Sequence, residues 1–194
     1  MGTKKFKVII PVAIIFLVIV IALGSVISGY NKAVQMREDV DGYYAQIMNR
    51  IQERHDKMGQ LVAAVEGLQE YATDVYLMIT EARTAYASAS SMEEYIQADS
   101  LEATALSNFL VVVESNPDVT PTPAYVAYMD EVAATENSLS VARRDYNEAV
   151  RYYNAEVRKF PLVLYVNMFG FEKELEYWQL PDGAQEIPIV TFGD

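Results

Sequence analysis

The chain has 194 residues, enough for one domain plus a short appended segment. It is 52% apolar, carries a formal net charge of −12 and has no cysteine, which excludes disulfides and a lipid-modified cysteine but fits either side of a membrane. The acidic balance argues against nucleic acid and against docking on anionic lipid headgroups.

The apolar residues are unevenly placed. From Val8 to Ile27 twenty positions pass without a charge, and only Pro11, Gly24 and Ser25 interrupt the aliphatic pattern. A helix of about 20 residues spans the roughly 30 Å hydrocarbon core of a bilayer, so this run is expected to be a transmembrane anchor carried by Val8, Ile14, Phe16, Leu17, Ile21 and Ile27. A cleaved signal peptide is the rival reading, with Lys4, Lys5 and Lys7 as its basic region and Ala22-Leu23-Gly24 as a weak cleavage site. Secretory apolar cores run about 7–15 residues, and this one is longer. The same lysines precede the span, whereas Lys32 and Arg37 follow it mixed with Glu38, Asp39 and Asp41. Basic residues are retained on the cytoplasmic side. The expected topology is a single pass through the cell membrane, N-terminus cytoplasmic and body outside. Without the three leading lysines the body holds 12 basic and 27 acidic residues, a net −15. That charge reads first as solubility, and no dense acidic cluster in the sequence marks a basic or metal-bearing partner.

Beyond the span a stripe alternates spacings of four and three: Val40, Tyr44, Ile47, Ile51, Arg54, Met58, Leu61, Val65, Leu68, Ala72, Val75 and Ile79. Arg54 is its one charged member. Such a seam packs on other helices at shallow angles, as in coiled coils. With no proline between Asn31 and Arg83, one helix of about 55 residues is expected, on the order of 80 Å long. Ala87-Ser88-Ala89-Ser90-Ser91 ends it. Ser91-Met92-Glu93-Glu94 fits a capping box opening a second helix to about Ser115, with Ile96, Ala103, Leu106, Phe109, Leu110 and Val113 on its apolar face. Asn116-Pro117-Asp118 and Thr120-Pro121-Thr122-Pro123 form a turn, with Thr122 an N-cap and Pro123 the first helical position. A third helix follows on the stripe Tyr125, Tyr128, Val132, Thr135, Leu139, Ala142, Tyr146, Ala149, Tyr153, Glu156 and Phe160, and Pro161 marks its end or a kink. Leu162 to Trp178 is a shorter apolar segment, read as a short C-terminal helix. From Leu180 the chain is expected to be extended, with Ile187, Ile189 and Phe192 as docking residues of a tail. The fold class is therefore all-α: a transmembrane helix, then an elongated antiparallel bundle of three long helices and a shorter one. The divisions are 1–29 for the basic tip and anchor, 30–179 for the bundle and 180–194 for the tail.

No catalytic, cofactor or metal-binding motif emerges. The single histidine, His55, stands beside the seam. Its neighbours Glu53 and Asp56 are too close in sequence to face it on a helix, so it reads as a surface or packing residue. A glycine-rich phosphate loop and a Glu-x-x-His pair are absent, and the acidic residues are expected on solvated faces. The aromatic pattern is more unusual. Among 14 tyrosines, three stand in the pairs Tyr30-Asn31, Tyr146-Asn147 and Tyr153-Asn154. Tyr30-Asn31-Lys32-Ala33-Val34 and Tyr146-Asn147-Glu148-Ala149-Val150 agree in four of five positions. Interhelical packing, with hydroxyl and amide groups satisfying each other, is the preferred reading over a ligand site.

These residues resemble the LemA family of membrane-anchored bacterial proteins. The similar blocks are Tyr30-Asn31, Tyr44-Ala45-Gln46-Ile47, Arg54-His55-Asp56, Gln60-Leu61-Val62, Val65-Glu66-Gly67, Glu81-Ala82-Arg83 and Glu114-Ser115-Asn116-Pro117-Asp118. The clearest is Ala142-Arg143-Arg144-Asp145-Tyr146-Asn147, continued by Val150, Tyr153-Asn154, Phe160-Pro161 and Gly170-Phe171. The ending 187–192 is similar too. Tyr44 departs from the family's usual tryptophan, and Lys57 and Gly59 stand where the family has an apolar residue and a proline. The resemblance implies a helical bundle, an anchor, packing roles for the motif residues and no settled activity. Some members belong to magnetosome membranes, which implies membrane organisation. The expected function is a non-enzymatic scaffold that self-associates at the membrane, needing no cofactor. An accessory subunit of a membrane protease, transporter or signalling complex, with a membrane-protein partner, is the alternative.

Overall fold

The computed structural model describes residues 3–64, 73–115 and 123–179. Among them all regular structure is helical: α1 (Thr3–Ala64), α2 (Thr73–Ser88), α3 (Met92–Ser115) and α4 (Pro123–Val157), followed by two 3-10 turns at Leu162–Leu164 and Val166–Phe169. The chain divides into two compact units. Met1–Tyr43 with Asn147–Tyr177 form the first, and Tyr44–Tyr146 with Trp178–Asp194 form the second.

Helix α1 has 62 residues and one internal proline, Pro11. It continues from the apolar run through Ser28-Gly29 and through Gly59, so the apolar run and the seam are one helix. One window of it reaches a mean hydropathy of 3.1 with none of its residues buried. Ile14, Phe16, Leu17, Ile21 and Ile27 are between 56% and 67% exposed. An all-round apolar helix with none of that window buried has the length and composition to cross a membrane. The backbone at Val8 is helical too.

The remainder of the expected first long helix is described as α2, and the seam positions in 65–72 lie outside the described residues. A three-residue link joins α2 to α3, which packs back on it as a helical hairpin. The capping box forms as expected. Ser91 Oγ accepts from the Glu94 N–H at 3.3 Å, and Glu94 Oε2 accepts from the N–H groups of Ser90 (2.7 Å) and Ser91 (3.1 Å). The N–H and hydroxyl of Ser90, with the N–H of Ser91, hold the Glu94 carboxyl below the usual carboxylate range. Pro123 opens α4, where its missing N–H costs no helical bond.

In the second unit the core is made by Ile47, Ile51 and Ile79 of the first seam, Leu106, Phe109 and Leu110 of the apolar face read for the second helix, and Val132 and Leu139 of the third stripe. In the first unit Ala33, Met36 and Val40 of α1 pack in a core with Val150, Tyr153 and Val157 of α4. Two expectations need correction. The short C-terminal helix is realised as the two 3-10 turns, and 174–179 has no regular structure. Gly170, at φ 80° and ψ 11°, ends the second turn in the left-handed region that glycine occupies without steric cost. Phe160 does not extend the α4 seam: the helix stops at Val157, and Phe160, joined to Pro161 by a cis peptide, is 79% exposed.

The Glu94 cap is a testable piece of this fold. A carboxyl whose folded pKa is lowered contributes above its unfolded pKa and loses that contribution as pH falls through the lowered value. Protection factors at Ser91–Tyr95, taken relative to the intrinsic exchange rate at each pH, are expected to fall in the wild type only below the ordinary carboxylate range and to be low already at neutral pH in Glu94→Ala, as read by hydrogen–deuterium exchange.

Candidate functional site

Arg54 has an apolar seam's position and a permanent charge, and its side chain is fully buried. An unpaired ion there would be untenable. Two other helices supply the compensation. Arg54 Nε donates to Glu102 Oε2 of α3 at 3.2 Å, Nη1 donates to Glu136 Oε2 of α4 at 3.0 Å, and Nη2 donates to the Asp99 carbonyl at 3.1 Å and to the Asp99 carboxylate. Arg143 of α4 closes the ring through Asp99 and through Glu136 Oε1 at 3.3 Å. Burial alone opposes the charged guanidinium of Arg54, but Asp99, Glu102 and Glu136 outweigh it and hold its pKa above the ordinary value.

His55 borders this cluster. Its Nδ1 lies 2.9 Å from Glu102 Oε1, and its ring stacks on Tyr86 at 4.5 Å. It is the packing residue expected, yet its carboxylate partner is 47 positions away rather than adjacent. The expectation that acidic residues occupy solvated faces fails at Asp99 and Glu102, which are 0% and 1% exposed. Two signals mark them: a lone arginine in a seam demands buried acceptors, and Asp99, Glu102 and Leu106 share one face of α3.

In the first unit the tyrosine–asparagine motifs hold the chain that follows α4. Asn154, 4% exposed, donates to the Leu175 carbonyl at 2.9 Å and accepts from the Leu175 N–H at 2.7 Å. The Tyr153 hydroxyl donates to the Glu172 carbonyl at 2.8 Å. Burial pushes the Tyr153 phenol above its ordinary pKa, so it stays a donor. The two side chains therefore satisfy the backbone of a passing segment, where the sequence reading paired hydroxyl with amide.

That segment runs along α1 in a fixed register. The Tyr165 hydroxyl donates to the Ser25 carbonyl at 3.1 Å. Phe169 and Phe171 meet the Tyr30 ring at 5.1 and 5.8 Å between centroids, and Glu172 pairs with Arg37 at 3.5 Å. Gly29 makes the first contact feasible. A Cβ there would collide with the Tyr165 hydroxyl and sit 3.0 and 3.1 Å from ring carbons. Lys32 bonds Glu156 at 2.6 Å, which raises the lysine pKa, while Glu156 is lowered by Lys159 and then by Lys32.

The remaining motif residues separate. Tyr146 is buried beside Tyr44 (6.2 Å) and Met92 in the second unit, so it does not repeat the task of Tyr30. Tyr44, in the family's tryptophan position, lies 6.3 Å from the Trp178 ring. Asp145 bonds its neighbour Arg144 at 3.0 Å and lines a shallow open groove with Gln46, Arg50 and Asn137. Asn31 is exposed and Asn147 half-buried. Ile187, Ile189 and Phe192 lie outside the described residues.

The fold and these contacts define a helical bundle with an internally paired charge cluster, continuous with a helix long and apolar enough to cross a membrane. The chain belongs to the LemA family, whose sequence profile matches residues 43–192. Among similar proteins are two of Paramagnetospirillum magneticum, magnetosome proteins MamQ 1 and MamQ 2, each 26% identical over 89% of this chain and 72% of the relative. Magnetosome protein MamQ of Magnetospirillum gryphiswaldense is 23% identical over 98% of this chain and 78% of its own.

Arg54→Leu leaves Asp99 and Glu102 buried without their principal counter-charge, and it is expected to destabilise the bundle by about 3–5 kcal/mol in thermal or urea unfolding. Arg54→Lys should recover only part of this, because one ammonium cannot reproduce the three-way fork. Asn154→Ala strands two buried backbone groups, a loss of about 1–3 kcal/mol. Its expected signature is faster proteolysis within 158–177.

Proposed function

We propose that this chain is a non-enzymatic scaffold, fixed in the cell membrane by α1 and associating with further copies of itself. The observation that carries the reading is that one helix joins an exposed apolar run to a bundle whose buried charges are paired with each other. Arg54, Arg143, Asp99, Glu102 and Glu136 each face partners within the cluster, which leaves their charges committed to holding helices together. The relatives' designation as magnetosome proteins is in keeping with a structural task at a membrane. The lysines before the span and the acidic body after it support an N-terminus in the cytoplasm and a body outside. The tail, 180–194, is the segment we assign to contact between copies, by addition to a sheet edge or a groove of the neighbour.

Detergent-extracted protein is expected to size as a homo-oligomer, with deletion of 180–194 weakening it. A monomer at micromolar concentration, unchanged by the deletion, would overturn the self-association. A stoichiometric foreign protein recovered by crosslinking would replace it with the accessory-subunit reading. Because the chain has no cysteine, one introduced at the exposed Val141 reports topology: labelling of intact cells by an impermeant maleimide is the expected result, and labelling only after lysis would reverse the orientation.

A further inference from the structure

The turns after α4 present two opposite faces. Leu162, Tyr165 and Val166 point inward, at 6%, 9% and 0% exposure. Phe160, Leu164 and Met168 point outward, at 79%, 66% and 81%. One exposed apolar residue is ordinary, but three large ones within nine positions form a patch.

The position of the patch identifies what covers it. Tyr165 lies between Leu164 and Val166, and its hydroxyl is bonded to the Ser25 carbonyl, two residues before the apolar run ends at Ile27. The notch at Gly29 seats the ring against α1, and Phe169 stacks edge-on against Tyr30 one turn further on. The turn is thus held at the level where a membrane span leaves the hydrocarbon, against Ser25 and Gly29 near the end of the apolar run. Tyrosines at that level match the aromatic belt of membrane interfaces. The charges flanking Phe160 are locally paired, Arg158 with Glu174 at 2.9 Å and Lys159 with Glu156. The acidic body offers no general attraction to anionic headgroups, so apolar insertion is the available mode of contact.

We propose that the turn 160–168 is a second membrane contact, a wedge in which Phe160, Leu164 and Met168 enter the headgroup–acyl boundary of the leaflet where α1 emerges. This rests on the reading of α1 as a transmembrane anchor. With one helix through the bilayer and one wedge beside it, the first unit has two points of support on the membrane. The contact is expected to be insensitive to salt.

The absence of native cysteine allows a direct test in the full chain. Nitroxide labels are placed singly at Leu164→Cys and Met168→Cys, at Ile21→Cys in the span and at Val141→Cys as a solvent reference. The protein is reconstituted in phosphatidylcholine vesicles. Labels at 164 and 168 are expected to collide severalfold more with oxygen, relative to a water-soluble nickel chelate, than the reference does, at a depth of about 5–10 Å. Gly29→Val, which removes the notch for Tyr165, is expected to return the label at 164 to the reference value while leaving that at 21 unchanged. Reference-like labels at 164 and 168 with an immersed label at 21 would overturn the wedge alone. A reference-like label at 21 would overturn the transmembrane reading and the wedge with it. Strong dipolar coupling between labels at 164 with both colliders excluded would assign the patch to a second copy of the chain and overturn the lipid contact.

Discussion

A guanidinium with no exposed surface has to be met by carboxylates, and in this chain that requirement organises the second unit. Arg54 stands on α1, Asp99 and Glu102 on α3, Glu136 and Arg143 on α4. None of these helices could bury its own charge alone, since desolvating an ion costs several kcal/mol unless its partners are geometrically well placed. The apolar seam brings the helices together at any register that hides Ile47, Ile51 and Leu139. The ion cluster accepts only a register in which the fork of Arg54 reaches all three acids. Hydrophobic burial thus supplies the bulk of the driving force, and the cluster selects among the arrangements that burial allows.

The first unit solves a different problem with neutral groups. After α4 the chain has to return along α1 without a helix, so its backbone polar groups need partners from elsewhere. Tyr153 and Asn154 supply them at Glu172 and Leu175, and Tyr165 anchors the near end at Ser25. Gly29 and Gly170 have complementary tasks. The first lacks a side chain so that a ring can lie against the helix, and the second turns the chain through a conformation other residues avoid.

These two devices bear on the scaffold reading. A rigid register in the second unit and a clasped return segment in the first both restrict how the chain departs from α1. The apolar run and the seam belong to one helix, unbroken through Ser28-Gly29, and Tyr165 is seated at that point. Gly29 is a contact surface in the fold.

Local patterning was enough for the long helices, the capping box at Ser91 and Glu94, the apolar run and the buried seam, though not for the 3-10 turns that replace the expected C-terminal helix. Each follows from local spacing: a period of 3.6, a donor and acceptor three residues apart, or an uninterrupted run of apolar residues. The identity of Arg54 as a charge in that seam was equally legible. Its partners were not, because Asp99, Glu102 and Glu136 lie 45 to 82 positions away and look like other acids on helices with abundant surface charge. The tyrosine–asparagine pairs were visible as a pattern, but what they bind is backbone, which carries no residue-specific signal. The departure of Phe160 from its stripe likewise depended on where α4 stopped. Periodicity reports which face of an element is apolar. Only the tertiary structure decides which distant groups that face encounters, since burial and charge compensation are properties of the assembled helices rather than of any one of them.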